Sequence, residues 1–264
     1  MVKEFKNKKE WALILGGSSG LGLATAKKLA KHGMNICVVH RNSRSQLSRV
    51  RKDFNKITKS GVDFISYNID CLHPEKRKAL VDDLTEKLKG GRIKTLVHSI
   101  AKGNLKPMIS GSTPSLQSDD FQLTIKSMGI SLYDWTKVIF NANLFSSDAR
   151  IISFTSEGNR KAWRNYAAIS AAKVTLEAIT RNIALEFAPF GIRANCIQAG
   201  VTDTDSFRMI PGSNKIKKYS LDRSPFKRLT SPEDIANVVY LLSKDEASWI
   251  NGITIPVDGG EHII

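Results

Sequence analysis

The chain has 264 residues, 41% of them hydrophobic, enough for one α/β domain with a substantial core and short for two, so residues 1–264 are read as a single unit. Its longest apolar runs, such as Trp11–Leu15, are far too short to cross a membrane, and residues 1–10 lack the apolar core of a signal peptide, so a cytoplasmic protein is expected. The net charge of +15 admits an acidic partner, but the basic residues are dispersed and no zinc-finger or RNA-binding signature occurs, so neither nucleic acid nor membrane is expected as a partner.

Cys37, Cys71 and Cys196 sit among apolar residues without metal-ligand spacing, and the five histidines are scattered; reduced structural thiols and no metal site are expected. Trp11–Leu15 reads as a buried parallel strand. Gly16-Gly-Ser18-Ser19-Gly20-Leu21-Gly22 follows at once, and Leu23, Ala26, Leu29 and Ala30 then repeat at helical spacing. Strand, glycine turn and helix together form the context of a dinucleotide-binding loop. In it Gly16 makes the tight turn, Gly20 lets backbone approach a pyrophosphate, and Gly22 lets helix and strand pack. The phosphates are then expected at the helix N-terminus.

Asn35–His40 is the second strand. An NAD site usually places an acidic side chain at its end; here His40, Arg41 and Arg44 stand instead. A guanidinium suits a 2′-phosphate, so Arg41 favours NADPH, with a plain solvated loop residue as the alternative. Leu47–Lys59 reads as a helix and Val62–Tyr67 as a third strand, with Asn68 and Ile69 at its end where an adenine could rest. Pro74–Leu88 is helical, and Ile93–Ser99 is a fourth strand. Ser99, Ile100 and Ala101 then bring small side chains or backbone close to a cofactor ribose. Residues 104–120 read as a loop over the site, and Phe121–Phe140 as a helix.

Ala149–Thr155 is the fifth strand, with Ser156 just beyond it. After a polar loop, Tyr166 begins an Ala-rich helix that carries Lys173. Tyr166 and Lys173 share a face about 10 Å apart along the axis. An ammonium there lowers a phenol pKa and readies it to give a proton to an oxyanion; the alternative is an unconnected helix-start tyrosine and a solvated lysine. Ile192–Ile197 is a sixth strand. About residues 204–224 read as a mobile substrate loop with short helical pieces. Ser231-Pro-Glu-Asp234 starts a helix to about Leu242, and Gly252–Val257 is the last strand. The alternation predicts an α/β fold: a Rossmann-type doubly wound parallel sheet of about seven strands.

The glycine loop, Ser156 with Lys173, Gly191–Asn195, Ala199–Thr204 and Val257–Gly260 together resemble the short-chain dehydrogenase/reductase family along essentially the whole chain. Most members carry tyrosine four residues before the lysine, a position held here by Ile169. The wider Tyr166–Lys173 spacing resembles the bacterial enoyl-acyl-carrier-protein reductases. The compact glycine loop, and Ser156 where type I enzymes have a second tyrosine, are most similar to the type III (FabL-like) branch. Leu15, Ala199 and the missing asparagine near Gly129 depart from the family, while His98–Ala101 resembles the type I enzymes.

The resemblance implies NADPH-dependent reduction of trans-2-enoyl-acyl-carrier-protein thioesters in fatty-acid synthesis. Tyr166 would act on the enolate oxygen, Lys173 on the nicotinamide ribose, and Ser156 on the order of the site. Gly200, Val201, Thr202 and Thr204 would lie against the nicotinamide and pyrophosphate side. It further implies an acidic acyl carrier protein as partner, met by Arg160, Lys161, Arg164 and the Lys215–Lys218 cluster, and a homotetramer. The competing expectations are another short-chain reductase, acting on a carbonyl or other activated alkene, and a non-catalytic cofactor-binding protein of the same fold.

Overall fold

The apolar run Trp11–Leu15 lies inside a parallel sheet in the computed structural model, which describes residues 3–264. The strands are β1 (Glu10–Leu15), β2 (Asn35–His40), β3 (Phe64–Asn68), β4 (Arg92–His98), β5 (Phe145–Ser156), β6 (Ile192–Ala199) and β7 (Thr254–Val257). They run in the order β3-β2-β1-β4-β5-β6-β7. Strand order reverses between β1 and β4, so Leu15 pairs with Val39 on one side and His98 on the other. A crevice opens at that reversal, beyond the carboxyl ends of the strands.

Each face of the sheet feeds its own core because side chains alternate along a strand. Ala12 and Ile14 pack with α1 (Gly20–Lys31), α2 (Leu47–Thr58) and α9 (Pro232–Ser243), through Leu29, Phe54 and Val239. Leu13 and Leu15 pack on the opposite face with α3 (Pro74–Lys87), α5 (Ser131–Asn141) and α6 (Ala167–Glu186), through Leu84, Trp135 and Leu176. Burial on both faces explains why β1 reads as an unbroken apolar run rather than an alternating one. α9 starts from Ser231 as the sequence predicts, and Ser231 and Asp234 close a reciprocal capping box around its first turn.

Several segments differ from the sequence expectation. β3 begins at Phe64 rather than Val62 and includes Asn68, which pairs with His40. The helix expected over Phe121–Phe140 is two helices, α4 (Ser118–Ile125) and α5, joined by a π turn at Lys126–Ile130. That turn lies close to α6: a Cβ on Gly129 would stand 2.9 Å from Thr175 Cγ2. β5 runs on to Ser156, which pairs with Ala199, so the serine belongs to the sheet and not to the loop after it. Residues 204–224 contain α7 (Asp205–Arg208) and the eleven-residue α8 (Ser213–Arg223), more regular than short helical pieces in a loop.

Cys37 and Cys196 are buried free thiols, and burial pushes the Cys196 thiol up to about 12. Among the described residues there is no group of three potential metal-ligating side chains, and no helix is long and apolar enough to cross a membrane.

Candidate active site

The glycine loop closes over the crevice at the end of β1. Gly16 has φ +83°, and a Cβ there would stand 2.3 Å from Ser99 O; a Cβ on Gly22 would stand 2.4 Å from Gly16 O. Both positions therefore require glycine, the first for its backbone conformation as well as for space. The α1 N-cap, Ser19, is exposed, makes no side-chain cap bond, and has no acid in the turn that follows. The first N–H groups of a twelve-residue helix thus face the crevice free to receive an anion. Those features fit the pyrophosphate of a dinucleotide.

One cavity runs from this loop across the ends of β4, β5 and β6. Gly16, Ser19, Gly20 and Leu21 wall it at the loop, Ser99, Ile100 and Ala101 after β4, and Ser156, Tyr166 and Lys173 beside β5 and α6. Gly200, Val201, Thr202 and Thr204 close it after β6. Thr204 also caps α7, its hydroxyl accepting from Phe207 N. Ser18, in the turn, and Gly22, in the first turn of α1, lie off the cavity wall.

At the catalytic end, Ser156 Oγ lies 3.1 Å from Tyr166 Oη. Tyr166 is the N-cap of α6 rather than part of the helix, and only 7% exposed. The left-handed Asn165, φ +64°, turns the chain into it. Its ring packs against Trp163, with centroids 5.3 Å apart, and against Gly158, where a Cβ would stand 2.5 Å from Cε1. Burial raises the phenol pKa, and the Ser156 hydrogen bond opposes that.

Lys173 does not bond the phenol. Its ammonium donates to Phe154 O at 2.6 Å, and burial brings its pKa down to about 8, opposed by the Glu177 carboxylate one turn later. Glu177 is held by hydrogen bonds from Thr155 and Asn159. The expected lowering of the phenol pKa by the lysine is therefore corrected: the phenol stays a neutral acid, because the low-dielectric pocket disfavours its anion and the nearest ammonium is engaged elsewhere.

At the adenosine end the predicted residues are less convergent. Arg41 is exposed and pairs with Asp70, Nη1 to Oδ2 2.8 Å; Lys102 approaches the same carboxylate at 4.0 Å. Asn68 receives a hydrogen bond from Asn42 N at 2.9 Å and returns one to Asn42 O at 3.1 Å. Its side chain thus pins the turn after β2. Ile69 is half-buried against the core below α3. Arg41, Asn68 and Ile69 are not on the cavity wall; the carboxylate that meets the two cations is Asp70, which sequence reasoning passed over.

The far end of the cavity is apolar: Tyr166, Ile169 and Met128 cluster with Leu105, Trp163 and Ile210. Gly103 leaves that space open, since its Cβ would lie 2.3 Å from Ile169 Cδ1. Among the loop cations, Lys161 pairs with Glu157 and Lys217 with Asp203, whereas Arg160, Arg164, Lys215 and Lys218 are exposed.

A family profile described as Enoyl-(Acyl carrier protein) reductase matches residues 16–262, from the glycine loop to the C-terminal turn. The chain belongs to the short-chain dehydrogenase/reductase family. As a short-chain dehydrogenase/reductase it is an oxidoreductase of the nicotinamide-cofactor type, and its enoyl-reductase-like character rests on that match. It is similar to the 1-cyclohexenylcarbonyl-CoA reductase of Streptomyces collinus, 26% identical over 98% of this chain and 89% of that protein. The peroxisomal 2,4-dienoyl-CoA reductase of Mus musculus is 26% identical over 94% of this chain and 82% of its own. Among solved structures, the enoyl-[acyl-carrier-protein] reductase (NADH) of Aquifex aeolicus superposes with a TM-score of 0.84 at 25% identity, covering 98% of each chain.

Two features of the cavity in this short-chain reductase have no role assigned from the sequence. His98, at the end of β4, is buried on the cavity wall with Nε2 2.7 Å from Ser131 Oγ. Ser131 donates its own hydroxyl proton to Ser127 O at 2.7 Å, so the histidine carries its proton on Nε2 and is neutral. Burial and the nearby Lys173 ammonium hold its pKa down to about 3. The apolar wall is not legible either, because Leu105, Met128 and Ile210 come from three segments far apart in sequence and meet only in the fold; Ile169 alone stands out, through the lysine spacing.

Proposed function

We propose that this chain reduces the trans-2 double bond of enoyl thioesters on an acyl carrier protein, using NADPH, in cytoplasmic fatty-acid synthesis. The observation that carries the reading is the buried, Ser156-bonded phenol of Tyr166, which lines one cavity with Lys173 and packs in an apolar cluster with Ile169, the residue four before that lysine. Reduction of a ketone places charge on the oxygen of the carbon attacked. Attack on the β-carbon of an enoyl thioester collects charge two carbons away, on the carbonyl oxygen, so the donor must stand further off. Three residues of displacement along a helix amount to about 4.5 Å.

When bound, the reduced nicotinamide supplies the hydride. Tyr166 donates to the developing enolate oxygen, and its raised pKa keeps the donor proton in place until that charge appears. With the phenol donating outward, Ser156 Oγ donates to Tyr166 Oη and stabilises the phenol as it yields its proton. Lys173, fixed by Phe154 O on the cavity wall, would donate to a ribose there and add positive charge. Gly20 and the α1 N-terminus would hold the pyrophosphate, and Arg41 with Lys102 would take a 2′-phosphate.

The exposed Arg160, Arg164, Lys215 and Lys218 support an acidic carrier as partner by electrostatic steering. Exposed Trp249 and Ile253 support burial against further copies in a homotetramer. The test is mass analysis of product from purified protein, NADPH and a trans-2-enoyl thioester: a saturated acyl chain two hydrogens heavier supports the reading, and unchanged enoyl substrate rejects it. A second reading is favoured by the Streptomyces collinus relative, named as a reductase of a coenzyme A thioester: the carrier is coenzyme A. Comparison of the two carriers at equal acyl chain decides between them.

A further inference from the structure

We propose that Arg223 is a positioning residue for the Ser156–Tyr166 pair, acting through the Glu157 turn that joins the serine to the face of the tyrosine ring. The inference rests on Tyr166 as the proton donor.

Arg223 is the last residue of α8 and is only 8% exposed. A buried guanidinium is tolerated where its donors meet a carboxylate in a two-pronged pair. Here Nη1 and Nη2 reach the two oxygens of Glu157 at 3.1 and 2.9 Å. Nη2 also donates to Glu261 O at 2.7 Å, and Ser220, one turn earlier on α8, donates to the Glu261 carboxylate at 2.7 Å. Arg223, at the end of α8, therefore ties together two walls of the reaction cavity, the turn after β5 and the C-terminal turn.

The connection onward is short. Glu157 is bonded covalently to Ser156 on one side and to Gly158 on the other. Gly158 lies so close to Tyr166 that a Cβ would stand 2.5 Å from Cε1. A shift of the Glu157 turn by a fraction of an ångström therefore moves both the serine hydroxyl and the surface against which the phenol ring rests. Arg223 Nε is buried without a hydrogen-bond partner, so the guanidinium is oriented for the Glu157 carboxylate and not for its own full satisfaction.

Arg223→Met, Arg223→Lys and Glu157→Gln in the full chain test this. Each is expected to lower kcat by about tenfold to a hundredfold, the scale of a small misplacement at the reacting centre, with the KM for cofactor unchanged. Arg223→Lys is expected to recover part of the loss. The Arg223→Met/Glu157→Gln double variant is expected to be no worse than the weaker single variant. Arg208→Met, which removes exposed pairs with Asp203 and Asp205 and touches neither Glu157 nor Tyr166, is expected to leave kcat unchanged. An activity-independent reading comes from carbon-13 at tyrosine Cζ, with the Tyr166 signal assigned by its loss in Tyr166→Phe. The arginine variants are expected to move it as Ser156→Ala does.

Folded variants with wild-type kcat and an unmoved Tyr166 signal overturn the proposal. If Arg223→Met fails to fold, Arg223→Lys and Glu157→Gln supply the same comparison. If wild-type protein reduces no enoyl thioester, the functional reading fails, while the Tyr166 signal still decides the role of Arg223.

Discussion

Ser156 Oγ stands 3.1 Å from Tyr166 Oη, and the serine holds that place as the last residue of β5, paired with Ala199 of β6. The tyrosine comes from a different element, the cap of α6, and its ring is held by Trp163 and Gly158. The sheet thus fixes one partner and the helix start fixes the other.

Tyr166→Phe removes the donor but keeps the ring packing, so kcat is expected to fall by about 10²–10⁴ with little change in melting temperature. Ser156→Ala leaves the phenol acid in place and removes one hydrogen bond. The expected loss is about five- to tenfold in kcat, on the scale of roughly 1 kcal/mol. Steady-state kinetics beside thermal denaturation check both.

Lys173 sets an alkaline limb. Its pKa is held down to about 8 by burial, so it is cationic below that pH and neutral above it. The catalytic contribution of its charge is therefore complete at low pH and lost as pH rises through about 8. A kcat/KM profile is expected to fall there, well below the usual lysine range. Glu177→Gln removes the carboxylate that supports the ammonium and is expected to move the limb to lower pH. His98, already neutral, contributes no limb near pH 6.5.

Arg41→Ala is expected to raise the KM for NADPH about tenfold or more while leaving that for NADH nearly unchanged, because only the former carries a phosphate for the guanidinium. Cofactor titrations followed by fluorescence separate this from any change in chemistry.

Gly103→Ala brings a Cβ to 2.3 Å from Ile169 Cδ1 and narrows the apolar end of the cavity. KM is expected to rise with acyl chain length in this variant and to stay near wild type for the shortest enoyl substrate. A chain-length series measures it.

Legibility in the sequence followed the range of the forces involved. β1, β2 and α9 were readable because an apolar run or a capping box is a local signal. The glycine loop was readable because steric need selects one residue type, as at Gly16. The break between α4 and α5 was not, since it follows from close packing of Gly129 on Thr175, forty-six positions away in the chain. The order of α8 was hidden for the same reason: its stabilising contacts, Arg223 to Glu157 and Ser220 to Glu261, are tertiary, while its own sequence is lysine-rich with a weak apolar pattern. The Tyr166–Lys173 pair was found by spacing, but its electrostatics were misjudged, because spacing does not reveal that the ammonium is taken up by Phe154 O. Asn68 and Ile69 were placed near the adenosine by position in the strand, and the turn after β2 engages the first instead.

The most direct test of the central claim is the ratio of kcat/KM for a trans-2-enoyl thioester to that for the 3-oxoacyl thioester of the same chain length and carrier, measured with NADPH. A phenol displaced toward the thioester carbonyl, with Ile169 at the nearer position, predicts a ratio far above one that collapses in Tyr166→Phe. Turnover of the 3-oxo compound alone, or a Tyr166→Phe variant as active as wild type, would contradict it.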